Sequence, residues 1–110
     1  EFFAVDMAAP GVGQESDEKA VTICAMDSTT PYDLGMRNKL RKIAEEKKID
    51  YRIDIYPHYG SDATAALRAG HDIRCALIGP GVDASHSYER THILGIENTC
   101  KLMIEYLLAK

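Results

Sequence analysis

A chain of 110 residues has room for one modest core and a single domain. With 45% hydrophobic and 27% charged residues its composition is that of a folded, water-soluble protein. Its net charge of -4 argues against nucleic acid as a partner, because phosphate binding needs clustered Lys and Arg, and the densest basic stretch, RNKLRKIAEEKK, is broken by acids. No apolar run reaches the ~20 residues that span a bilayer, so no membrane partner is expected.

The three cysteines, Cys24, Cys75 and Cys100, are odd in number, widely spaced and free of any CxxC. That pattern excludes a disulfide framework and a zinc ribbon, and points to three buried, reduced thiols in a cytoplasmic protein.

The opening EFFAVDM is apolar but lacks the basic n-region and long h-region of a secretory signal, so it reads as a strand already under way. Without an initiator methionine or a lead-in, the chain is expected to be a piece of something longer. FFAVDM and VTICAM are short continuous apolar runs, as expected of strands buried on both faces. The Gly-, Pro- and charge-rich AAPGVGQESDEK between them is a loop. Over STTPYDLGMRNKLRKIAEEKKI the period becomes helical. Thr30 is the expected N-cap, Pro31 the first helical residue and Asp33 the acid of a capping box. Tyr32, Met36, Leu40 and Ile43 form the apolar stripe, leaving Lys39, Arg41, Lys42, Glu45 and Glu46 to solvent.

YRIDIYP alternates strictly and predicts a half-buried or edge strand with Tyr51, Ile53 and Ile55 on its apolar side, ending at Pro57. SDATAALRAG predicts a short helix capped by Ser61 and stopped by Gly70. IRCALIGPG is another buried strand, closed by a Gly-Pro-Gly turn. A last helix from about Leu94 to Ala109 is expected to bury Ile96, Cys100, Met103, Ile104 and Leu107. Strands alternating with helices give an α/β layered sandwich.

Three places could carry chemistry, since reactive groups of open α/β sheets collect in loops beyond the strands. Asp6 follows FFAV directly, and a lone acid there is either a turn residue or a metal-ligating carboxylate. In HYGSDA, residues 58 to 63, Gly60 and Ser61 lead into a helix, which is either an ordinary helix start or a place for an anionic group. DASHSYERTH, residues 83 to 92, crowds two histidines, two acids, an arginine and a tyrosine into ten positions. His86 and Glu89 would share a helical face with His92 rotated away, whereas on a strand His86 and His92 would face opposite to Glu89. Neither geometry converges all three, and HExxH is absent. One ligand from this stretch, completed by distant residues, is physically easier. There is no GxSxG elbow for a serine hydrolase, and the GxG of PGVGQE leads to a strand, too weak a signal for a dinucleotide site.

AVDM…PGVGQ, TICAMDS, HYGSDATAAL and GVDASHSYERTH stand in the order and spacing of the last third of the tetrahedral-aminopeptidase family, and the whole chain resembles that segment. These co-catalytic metallopeptidases include glutamyl aminopeptidases, and some carry old labels as endoglucanases. The ERTH ending matches one subgroup, while YGSDA departs from the common glycine-rich GGTDA.

The resemblance implies a mixed-sheet zinc-peptidase-like domain, of which residues 1–110 are the C-terminal segment, lacking the family's β domain. It implies two divalent ions, zinc or cobalt, with Asp6 the carboxylate ligand of one and His86 the imidazole ligand of the other. The remaining ligands and the general-base glutamate are expected upstream, so residues 1–110 alone should be inactive. Glu89 and Arg90 are expected to pair or to hold the loop that aims His86, and Gly60 and Asp62 to border the substrate. His92 is expected to cap or precede the last helix. Peptides are the implied substrates, cut by metal-activated water at the N-terminal residue, and the full-length protein is expected to be a homo-oligomer. The rival expectations are a non-catalytic α/β module that binds a ligand or partner, and a glycoside hydrolase. The latter needs a carboxylate dyad, and none stands out.

Overall fold

A computed structural model describes residues 1–109. Four strands, β1 (Phe2–Val5), β2 (Val21–Met26), β3 (Tyr51–Ile55) and β4 (Cys75–Pro80), form one sheet in the order β1-β4-β2-β3. β1 runs parallel to β4 and β2 parallel to β3, while β2 and β4 are antiparallel, so the sheet is mixed. Three helices are found among the described residues: α1 (Leu34–Glu46), α2 (Asp62–Arg68) and α3 (Ile93–Leu108).

The alternation of each strand sorts the core into two layers. Val21 and Ile23 of β2 and Ala76 and Ile78 of β4 pack with Met36, Leu40 and Ile43 of α1 and Leu102 and Tyr106 of α3. Cys24, Cys75 and Leu77 point the other way, toward Ala4, Tyr32, Tyr56 and Ala63 of α2. Helices therefore cover both faces, α1 and α3 on one and α2 on the other, and the expected layered α/β sandwich is what forms.

Several sequence expectations need correction. α1 starts at Leu34, with Asp33 as its N-cap accepting the Met36 N–H at 2.9 Å, instead of Thr30 and Pro31. Pro31 is taken up in a bridge with Met26 and Tyr32 N–H bonds to the Ala25 carbonyl, so the chain is still extended there. β1 is an edge strand with Val5 exposed, so it is not buried on both faces. β3 is also an edge, as expected, but its faces are reversed toward the end: Asp54 and Tyr56 are buried and Ile55 is exposed. The reversal has a polar cause. Asp54 accepts the Glu15 and Ser16 N–H groups and the Ser16 hydroxyl, and that hydroxyl also pairs with Tyr56 at 2.6 Å. A buried carboxylate with three donors fastens the loop after β1 to the sheet.

The largest departure is α3. Its buried residues are Gly95, Thr99, Leu102 and Tyr106, whereas Ile96, Cys100, Ile104 and Leu107 face outward. Gly95 and Thr99 let the helix close on the sheet: a side chain at Gly95 would lie 2.2 Å from the Glu18 carbonyl oxygen, and Thr99 returns its hydroxyl to the Gly95 carbonyl. The outer face thus keeps a row of large apolar side chains, with Leu107 71% exposed. Cys100, predicted to be buried, is exposed, while Cys24 and Cys75 are buried as expected.

Candidate functional site

Asp6 leaves the C-terminal end of β1, held there by Asp6 N–H to the Ile78 carbonyl (3.0 Å) and Ala8 N–H to the Pro80 carbonyl (2.7 Å). Its Oδ1 accepts the Met7 N–H at 2.8 Å. The backbone passes so close to β4 that a Cβ at Gly79 would sit 1.4 Å from the Asp6 carbonyl oxygen. Glycine at 79 is therefore a condition for the position of Asp6.

The segment His58–Ser61 runs from β3 into α2. Ser61 is the N-cap, as expected, and forms a reciprocal capping box with Thr64; Gly70 follows with φ +94°, the left-handed stop. Beneath the segment lies a network that sequence reading did not single out. The buried Asp27 carboxylate accepts the hydroxyls of Tyr32 (2.7 Å) and Thr64 (2.8 Å) and the N–H groups of Thr29 and Thr30. Tyr32 also pairs with Ser61 at 2.6 Å. Burial, with Asp27 alongside, pushes the Tyr32 phenol far up, so it stays a neutral donor. The signal was available: Asp27 directly follows the apolar run of β2, as Asp6 follows that of β1.

The third contribution is the loop after β4. Its neck is closed by a pair of backbone hydrogen bonds between Asp83 and Arg90 (2.8 and 3.0 Å) and its tip by Ser87 N–H to the Ala84 carbonyl. Two non-glycine residues inside it, Ala84 (φ +54°) and His86 (φ +66°), take the left-handed conformation. Such strain is kept where surrounding structure enforces it, commonly at functional sites. The His86 N–H donates to Glu89 Oε1 at 3.2 Å. Arg90 does not pair with Glu89; its guanidinium stands 3.6 Å from Asp83 and 3.5 Å from Glu18, at the neck. His92 accepts the Leu94 N–H on Nδ1 at 3.1 Å and caps α3, the structural place expected of it.

These pieces converge on one cavity of about 720 Å³, whose walls include Asp6, His58, Tyr59, Gly60, Asp62, His86 and Glu89. Asp6 and His86, distant in sequence, share it, whereas Arg90 and His92 lie outside its lining. His58 and Tyr59, from the HYGSDA stretch, line it too, with Ser28 and Arg68, to which sequence reading gave no role. Tyr59 packs edge-on against Tyr56, with ring centroids 5.3 Å apart. Its hydroxyl is buried and makes no hydrogen bond of good geometry. Burial first, then the negative charge of Asp6 beside it, hold the Tyr59 phenol strongly in its protonated form.

Among the described residues no three His, Cys, Asp or Glu side chains stand together as a metal-binding group. Asp6 and His86 still fit part of one. Both open into the same cavity, a carboxylate and an imidazole are ordinary ligands of zinc-like ions, and the backbone that carries His86 is strained into place.

The fold is an open mixed α/β sheet that brings a carboxylate at one strand end and an imidazole on a constrained loop to one cavity. The sequence model of the M42 glutamyl aminopeptidase matches residues 1–102, and the chain belongs to that family. Among curated proteins it is 52% identical over 107 residues to "Putative aminopeptidase YhfE" of Bacillus subtilis (strain 168), covering 97% of this chain and 31% of that protein. Among solved structures it is similar to the TET1 peptidase of Pyrococcus horikoshii, 28% identical with a TM-score of 0.81, covering 96% of this chain and 32% of that one. The fold is shared as well with the aminopeptidase APDkam598 of Desulfurococcus kamchatkensis, at a TM-score of 0.80 and 18% identity, covering 96% and 33% of the two chains. The chain thus spans about a third of the length of the relatives it matches.

Proposed function

We propose that residues 1–110 are the C-terminal segment of the catalytic domain of a dinuclear metal-dependent aminopeptidase, which removes N-terminal residues from peptides. The observation that carries this reading is the meeting of Asp6 and His86 in one cavity of a chain whose family is M42. Asp6 would hold one divalent ion and His86 the other, with zinc or cobalt as the metals. When bound, such ions supply Lewis acidity toward a peptide carbonyl and make water nucleophilic near neutral pH.

The chain's own residues do the positioning. Glu89 fixes the His86 amide, and Arg90 ties the loop neck to Glu18 and Asp83. Gly60 and Asp62 border the cavity where a peptide would lie, and a side chain at Gly60 would meet only ordinary contacts, so the position tolerates but does not demand glycine. The remaining ligands and the general-base glutamate come from outside residues 1–110, so this segment alone is expected to be inactive. The exposed apolar row on α3 and the open edge of β1 support a placement inside a larger domain, where further chain covers them.

The P. horikoshii TET1 peptidase assembles into a tetrahedron or a large octahedral shell, and self-assembly of the full-length protein is part of this proposal. So is a cytoplasmic location; no helix among the described residues is long and apolar enough to cross a membrane.

The test is hydrolysis of amino-acid p-nitroanilides by the full-length protein before and after chelation and after zinc or cobalt is restored. Activity lost on chelation, regained with metal and abolished in His86→Ala supports the reading. Activity indifferent to chelator, or unchanged in His86→Ala, defeats it.

A further inference from the structure

We propose that Tyr59 is a positioning residue whose hydroxyl donates a hydrogen bond to the Asp6 carboxylate and fixes the orientation that Asp6 presents to the cavity; this rests on the aminopeptidase reading above. Two direct restraints hold Tyr59 in place, from Ser28 and from the Tyr56 ring. Its carbonyl accepts both the N–H and the hydroxyl of Ser28, each at 2.9 Å. Its ring packs edge-on against Tyr56. Tyr56 is itself fixed through Ser16 to Asp54. The phenol is therefore delivered to one spot by rigid neighbours, yet among the described residues its buried hydroxyl makes no hydrogen bond of good geometry.

A dry hydroxyl with nothing to bond is costly, and natural structures seldom keep one without a use. Asp6 lines the same cavity as Tyr59 and is the carboxylate whose charge acts on the phenol. The Met7 N–H occupies only Oδ1 of Asp6, which leaves acceptor capacity on the carboxylate. Carboxylates that ligate metals are themselves hydrogen-bonded, and these partners set the direction and basicity of the ligand. Tyr59 brings to the wall that Asp6 also lines a buried donor without a well-placed acceptor.

The experiment measures zinc affinity of the full-length protein by competition with a chromophoric chelator. Tyr59→Phe keeps the ring and its packing and removes only the hydroxyl; zinc binding is expected to weaken by about 10- to 100-fold. Asp6→Ala should weaken it further, and the double variant should be no weaker than Asp6→Ala alone, because the hydroxyl acts through the carboxylate. Tyr56→Phe, which removes a hydroxyl held by Ser16, should leave zinc affinity unchanged and controls for general loosening of the aromatic pair. Equal affinity of Tyr59→Phe and wild type overturns the proposal, as does full additivity with Asp6→Ala. A wild-type protein that binds zinc but hydrolyses no p-nitroanilide overturns the aminopeptidase reading instead, and the same affinity comparison still decides the role of Tyr59.

Discussion

Gly79→Ala is the smallest change that should disturb the site from outside it. The added methyl would be built 1.4 Å from the Asp6 carbonyl oxygen and 2.6 Å from its carbonyl carbon. Carbon and oxygen approach no closer than about 3.3 Å in ordinary contacts, so β1 and β4 must part by roughly 2 Å at this point. Both obstacles are backbone atoms, so no side-chain rotation relieves the clash. Two hydrogen bonds bracket it, Asp6 N–H to Ile78 and Ala8 N–H to Pro80. Losing them at about 1 kcal/mol each, with an overpacking strain of about 1–3 kcal/mol, gives a loss of about 3–5 kcal/mol. That is a large share of the ~5–15 kcal/mol that holds a typical domain together. The shift also carries the Asp6 carboxylate away from His86, and a misplacement of about 1 Å can cost on the order of 100-fold in rate. Urea unfolding followed by circular dichroism, with p-nitroanilide turnover of the full-length variant at saturating zinc, reads both effects. A Gly79→Ala protein with wild-type midpoint and wild-type turnover would refute the close-approach argument.

Asp27→Ala strands two backbone donors and leaves the hydroxyls of Tyr32 and Thr64 with only Ser61, and should cost about 3–5 kcal/mol in urea unfolding; a loss under about 1 kcal/mol, the size of an ordinary surface change, would mean the network carries little. Native thiol labelling with an aromatic disulfide at pH 8 should modify Cys100 quickly and spare Cys24, whose thiol burial pushes up to about 12, and Cys75, which burial also raises; rapid reaction of all three would contradict the core assignment. Glu45 lies below the usual carboxylate range, first because Tyr51 donates to it and then because of Arg41. With its folded value depressed, its contribution is complete above the ordinary carboxylate range and is lost as pH falls through the folded value. In Tyr51→Phe the side-chain NMR titration of Glu45 should move back up toward normal, and an unmoved curve would exclude Tyr51 as the cause.

The strands and their order in the chain were legible because β2 and β4 are continuous apolar runs, and short runs bounded by Gly, Pro and charge leave few alternatives. The α2 cap was legible for a local reason, since Ser61 and Gly70 act within their own turn. The face of α3 was not. Hydrophobicity marks Ile96, Met103, Ile104 and Leu107, but the inward side is chosen by close approach, which only Gly95 and Thr99 permit beside Leu102 and Tyr106. β3 misled for a similar reason: Asp54 is buried because the backbone of a distant loop comes to it, a fact no period of two can encode. At the site, geometry reduced DASHSYERTH to a single ligand and the resemblance pointed to His86; the cavity lining includes both His86 and Glu89 and leaves out His92. Asp27 escaped notice because its significance lies in which buried atoms meet.

The position of β4 in the sheet also sets a timetable. β1 is the first strand of the described residues and β4 the last, yet β4 lies between β1 and β2, so the side of β1 that faces this sheet is paired only when β4 inserts. The bonds that place Asp6 are all to β4 or just beyond it, and His86 follows only after that strand ends. Pairings this far apart in sequence form slowly, because a long loop must close before any contact repays it. On a growing chain, whose early portions fold first, Asp6 and His86 cannot meet until nearly the whole segment has been synthesised. The two side chains that share the cavity are thus brought together by the last strand of the sheet to be made.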